Sequence, residues 1–120
     1  MAKFCASQVL DAALDNIATA TQLFICPSQP ADYTAANSSK LGSRALTGGD
    51  FTKANGSAAG RRKTTVAGGD VSVTASGTVT HVALCTASTL LYVTTTTSEA
   101  VTASSTRTLG AFEIEFREPT

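Results

Sequence analysis

His81 is the one histidine of the chain, and it sits beside Val82 and Ala83 in an apolar, β-branched run. A catalytic imidazole needs a nucleophile and an orienting carboxylate close in space, and no Gly-x-Ser-x-Gly elbow or comparable local signature accompanies this one. His81 is therefore read as structural. Cys5, Cys26 and Cys85 are odd in number and widely spaced, which fits neither a zinc knuckle nor a redox pair, so they read as buried thiols. Asp50 and Asp70 each follow Gly-Gly, which is turn chemistry without the repeated acidic positions of a calcium loop. Gly56 to Gly60 lacks the Lys and Thr that would make a phosphate loop specific. Arg61-Arg62-Lys63 is the only run of like charge; with no broader basic face and no aromatics, it reads as a solvated strand edge rather than a nucleic-acid site. The sequence thus nominates no catalytic, cofactor-binding or metal-ligating residue, and a non-enzymatic protein without a cofactor is expected.

Composition supports that expectation. Nine Lys and Arg balance nine Asp and Glu, so no long-range field directs the chain to nucleic acid or to an anionic membrane. Charged residues make up 15% of the chain, well below the quarter or so usual in soluble domains, and Thr, Ser, Asn and Gly supply the surface polarity instead. Such neutral, hydroxyl-rich surfaces suit packing beside other subunits, because low net charge favours association. No stretch approaches the roughly 20 apolar residues of a membrane span, and the Met1 start carries no apolar run of signal-peptide length. Synthesis and folding in a cytoplasm are expected.

The elements that would position these residues are mostly strands. Twenty of the 120 residues are Thr, four of them consecutive at Thr94 to Thr97, and β-branched side chains favour a pleated surface over a helix. One domain over 1–120 is expected. Leu10, Ala13, Leu14 and Ile17 recur at helical spacing, predicting a short helix over 7–17 with Ser7 as N-cap. Thr21 to Cys26 is apolar on both faces and reads as a central strand stopped by Pro27. Residues 28–50, with Pro30, Gly42, Gly48 and Gly49, read as a long loop or extended arm available for an intersubunit contact.

Residues 51–117 read as antiparallel strands. They comprise a hairpin around Asn55-Gly56, turns at Gly68-Gly69-Asp70 and Ser76-Gly77, a strand pair Thr78 to Cys85 and Leu90 to Thr96, and a final strand Ala111 to Arg117. In that last strand Phe112, Ile114 and Phe116 alternate with Glu113, Glu115 and Arg117, which predicts one buried and one solvated face. Seven or so strands and one short N-terminal helix predict a mainly β fold, a single-domain β sandwich or flattened barrel.

Several segments together resemble a group of small tailed-bacteriophage and prophage proteins encoded among virion morphogenesis genes. They are Met-Ala-Lys-Phe-Cys at Met1, Val-Leu-Asp-Ala-Ala-Leu at Val9, Ile-Cys-Pro-Ser-Gln-Pro at Ile25, Gly-Asp-Phe at Gly49, Gly-Thr-Val-Thr-His-Val-Ala-Leu at Gly77, Leu-Tyr-Val-Thr at Leu91, and Phe-Glu-Ile-Glu-Phe at Phe112. All are turn, core and strand residues, so the resemblance carries over no functional residue. It implies a structural protein located in the virion. The first expectation is a head decoration (cement) protein, often a trimer, with itself and the major capsid protein as partners. The alternative is a tail, collar or fibre component, although fibres tend to show internal repeats and none is visible here. A carbohydrate-binding module is a weaker alternative, because the chain has no Trp and only Tyr33 and Tyr92 as tyrosines.

Overall fold

The computed structural model describes residues 6–55 and 61–117. The fold is mainly β, as the composition requires, with nine strands among the described residues. These are β1 (Gln22–Cys26), β2 (Gly42–Ala45), β3 (Phe51–Asn55), β4 (Arg61–Val66), β5 (Gly69–Val73), β6 (Gly77–Cys85), β7 (Leu90–Val101), β8 (Thr106–Leu109) and β9 (Phe112–Arg117). Helix α1 (Ser7–Ile17) precedes them, and α2 (Tyr33–Ser39) lies between β1 and β2. Six strands form an antiparallel sheet in the order β7-β6-β1-β2-β5-β8, and three form a second in the order β3-β4-β9.

The two sheets are linked by one long hairpin. β4 pairs with β9 from Arg61↔Arg117 to Val66↔Phe112, β5 with β8 from Gly69↔Leu109 to Ser72↔Thr106, and β6 with β7 from Gly77↔Val101 to Val79↔Glu99. All three stretches keep a single register, so no residue is gained or lost across the two bends that separate them. The hairpin closes at Thr86 to Thr89, where Thr86 Oγ1 accepts from the Ser88 and Thr89 amides and the Thr86 amide donates to the Thr89 carbonyl. Residues 61–117 therefore form a ribbon folded at two corners, with β1, β2 and β3 laid along its inner strand.

Apolar residues fill the inside of this curl. Leu23 and Ile25 of β1 join Val71, Val73, Val79, Val82 and Leu84, while Val66 and Ile114 of the smaller sheet join the same cluster. Helix α1 supplies Leu14 and Ile17 and packs on β4, β7 and β9. The opposite face of β1 is also buried: Phe24 and Cys26 pack with Ala83, Cys85 and Ala36 of α2. A strand buried on both faces needs the continuous apolar run that Leu23 to Cys26 provides. In β9, Ile114 is buried and Phe112 and Phe116 are half-buried against the core, which matches their alternation with charged neighbours.

Five expectations are corrected. Residues 28–50 are not an extended arm, because α2, β2 and a 3-10 turn at Gly48–Asp50 occupy much of that stretch. Asp32 starts α2 by accepting from the Ala35 amide at 2.8 Å, and Ala36 anchors the helix over β1. The N-cap of α1 is Ala6, without a side-chain cap, and Ser7 is the first helical residue. Ala13 lies on the exposed side of α1, so the buried stripe is Leu10, Leu14 and Ile17. Gly69 and Asp70 belong to β5 rather than to a turn, with Thr108 Oγ1 donating to Asp70 Oδ1 at 2.8 Å. Finally, β4 is the middle strand of its sheet, so Arg61-Arg62-Lys63 is not a strand edge; Lys63 pairs with Glu113 at 3.0 Å across to β9. The Asn55-Gly56 turn lies partly outside the described residues.

Candidate functional site: the outer strand and its two corners

His81 faces Cys26 directly across β1 and β6, a Cys–His juxtaposition hidden in the sequence because 54 other residues intervene. Thr80 Oγ1 donates its only proton to the Pro27 carbonyl at 2.8 Å, so its 2.8 Å contact with His81 Nδ1 requires the imidazole to donate there. Burial, reinforced by Cys85, pushes the Cys26 thiol up to about 11, and burial raises the Cys85 thiol as well. Both thiols are protonated at neutral pH, whereas a nucleophilic cysteine needs a lowered pKa. Cys26 and Cys85 are free and buried as expected; Cys5 lies outside the described residues. No group of three or more His, Cys, Asp or Glu able to hold a metal occurs among the described residues. No helix among them is long and apolar enough to cross a membrane.

Both tyrosines are engaged in packing. Tyr33 lies 6.3 Å from the Phe24 ring, on the face where Lys40 Nζ sits 4.6 Å from the Phe24 centroid, and Tyr92 packs on the inner core. They do not form an aromatic platform.

The two corners of the ribbon are braced differently. At the first, between β4 and β5, Arg44 Nη1 donates to the Ala67 carbonyl and Nη2 to Asp50 Oδ1, both at 3.1 Å. Asp50 Oδ2 in turn accepts from the Thr47 amide at 2.8 Å. The Thr47 amide first, and the Arg44 guanidinium after it, hold the Asp50 carboxyl below its ordinary value against partial burial. The guanidinium lies so close over Gly69 that a Cβ there would fall 2.6 Å from Arg44 Nε. At Gly68 a Cβ would meet the Ala111 amide nitrogen and the Leu109 carbonyl oxygen at 2.8 Å each, so only glycine lets the two chains pass at this bend.

The second corner, where β5 leads into β6 and β7 into β8, has Ser104 at φ 68° on its outer strand. The Ser104 amide donates to the Val73 carbonyl and the Ala103 amide to Ser76 Oγ, both at 2.9 Å. Inside the bend Arg107 Nε donates to Glu99 Oε2 at 3.0 Å, but Arg107 is only 9% exposed and its Nη1 has no partner among the described residues.

The ribbon's outer strand lies at the edges of both sheets. β7 and β8 are the two edges of the six-stranded sheet, and β9 is an edge of the three-stranded one. These three strands are consecutive in the chain, and each pairs with a single strand among the described residues. Sequence reading found the strands at either end of this stretch but not β8, and could not show that all of them were edges.

Searches against protein-family models, curated proteins and solved structures find no match to this chain.

Proposed function

We propose that this chain is a non-enzymatic structural protein of a phage particle, a head decoration protein that binds across joints between capsid subunits. The observation that carries the reading is the succession β7, β8 and β9, each an edge strand of its sheet among the described residues, an arrangement that suits recognition by strand addition. Each backbone hydrogen bond formed at such an edge contributes about 0.5 to 1.5 kcal/mol net, a modest energy that becomes decisive when repeated over a lattice. The sparse charge and hydroxyl-rich surface support the same reading, since close packing among subunits then desolvates few ions. The resemblance of the Gly77, Leu91 and Phe112 segments to phage morphogenesis proteins supplies the setting.

The test is compositional. Particles released from cells that encode this chain are banded on a density gradient, stripped of loosely bound protein, and analysed by peptide mass spectrometry with isotope-labelled standards. The reading predicts this chain in the particle band at a copy number of the same order as the major capsid protein. Its confinement to the soluble lysate would overturn the reading, and a few copies per particle would select a tail or collar position.

A further inference from the structure

The free edge is not uniform along its length. β9 carries Glu113, Glu115 and Arg117 in alternation, β8 is four residues long and holds Arg107, and β3, the edge at the other side of the smaller sheet, carries Lys53. Charges and short length are the usual ways in which an edge strand resists pairing. β7 differs from all three. It runs for twelve residues with Glu99 as its only charge.

Within β7, two irregularities bound a regular stretch. Leu91 is an extra residue between the Tyr92↔Leu84 and Leu90↔Cys85 pairs, and Thr96, Thr97 and Ser98 together face the single residue Thr80. Between these bulges Tyr92-Val93-Thr94-Thr95 pairs regularly with Leu84-Ala83-Val82-His81. In an antiparallel strand alternate residues direct their amide and carbonyl groups away from the existing partner. The described residues place no backbone partner on that side of Tyr92 to Thr95.

We infer that Tyr92 to Thr95 is a self-pairing edge that joins two copies of this chain antiparallel about a two-fold axis, continuing the six-stranded sheet from one copy into the next. A strand pairing with its own copy must be self-complementary. With the axis passing between Thr94 and its own copy, the cross-strand neighbours are Thr94 with Thr94 and Val93 with Thr95 of the second copy, residues that share a face of the sheet. β-branched residues side by side are favourable cross-strand pairs, and no charge meets its like. The same arrangement on β9 would place carboxylates opposite one another or near one another. The zero formal net charge adds no long-range repulsion between copies.

Four paired residues on each chain bury far less than the roughly 1,000 Å² of a stable dimer, so the pairing is weak and concentration-dependent in solution. Its use, which rests on the particle reading above, is to link neighbouring copies once a lattice has already brought them close.

Sedimentation velocity over protein concentrations from about 10 to about 500 μM, which bracket weak association, provides the test. The wild type should shift reversibly from monomer toward dimer, and Thr95→Lys, which sets an ammonium group beside Val93 on each side of the axis and the two ammonium groups diagonally across it on one face, should remain monomeric throughout. Thr52→Lys, adding the same charge on exposed β3, should associate like the wild type. Hydrogen exchange on the wild type provides a readout independent of any variant: the alternate amides of Tyr92 to Thr95 that point away from β6 should gain protection as concentration rises, while those of β8 should not. A wild type that stays monomeric at the top concentration, a Thr95→Lys variant that still dimerises, or association without added protection in β7 would each overturn the pairing. A monomer that nevertheless bands with particles would sink this inference and leave the particle reading standing; a dimer absent from particles would do the reverse.

Discussion

The two corners of the ribbon carry the same kind of brace, an arginine bound to a carboxylate, yet differ in how completely the charges are satisfied. At the first, Arg44 and Asp50 are 16% and 19% exposed, and Arg44 spends its donors on Asp50 and on the Ala67 carbonyl. At the second, Arg107 is more deeply buried and its Nη1 has no partner among the described residues, while Glu99, which Nε reaches, is 56% exposed and well hydrated. A part-buried pair bonded through both terminal guanidinium nitrogens fixes geometry, whereas an incompletely satisfied cation contributes little and can cost stability. The first corner, which joins the two sheets, is the more fully braced one. The second, next to the free edge of β7, holds its shape mainly through backbone bonds around Ser104 and Val73.

Substitutions separate the two. Gly68→Ala should have the largest effect, a loss of about 3 kcal/mol, because its methyl group meets backbone on both sides of the bend; chemical denaturation measures it directly, and a near-neutral result would mean that the corner yields. Arg44→Met should cost about 2 kcal/mol, less than a fully buried pair because Asp50 can rehydrate in part. Thermal melts of Arg44→Met and Arg107→Met side by side are the sharpest comparison. Arg107→Met should stay within about 1 kcal/mol of wild type in either direction, since it removes an unsatisfied buried cation and leaves Glu99 in water. Equal losses in the two variants would erase the distinction.

Asp50 adds a pH dependence. Its carboxyl has a folded pKa below the unfolded value of about 3.9, so its contribution is present above that value and is lost as pH falls through the folded pKa. Asp50→Asn should therefore be less stable than wild type at neutral pH by about 1 kcal/mol. The gap should narrow below about pH 4. A gap that persists unchanged at low pH would show that shape, rather than the charge of Asp50, braces the bend.

Much of the β architecture is legible in the residues because burial there follows period two: Val71 and Val73, or Phe112, Ile114 and Phe116, announce which face is inward. Helix α1 reads correctly over 7–17, but Ala13 is small enough to satisfy an apolar pattern from the exposed side. Helix α2 escapes notice because seven residues hold barely two turns and Ser38-Ser39 mimics a loop; Asp32, three residues before Ala35, is the cue that could have revealed it. β8 is four residues between a serine-rich turn and Gly110, too short to show a period. Edge status is a property of the pairing order alone. No local pattern marks Tyr92 to Thr95 as an edge while Arg62 and Lys63 are flanked on both sides, and the charge run misleads for that reason.

The central claim is that this protein works by adhering to neighbours in a particle. Electron microscopy of released particles decorated with gold-labelled antibody against this chain tests it most directly. The account predicts gold distributed regularly over the heads; particles that bind no gold, under conditions where the antibody recognises the purified protein, would contradict it.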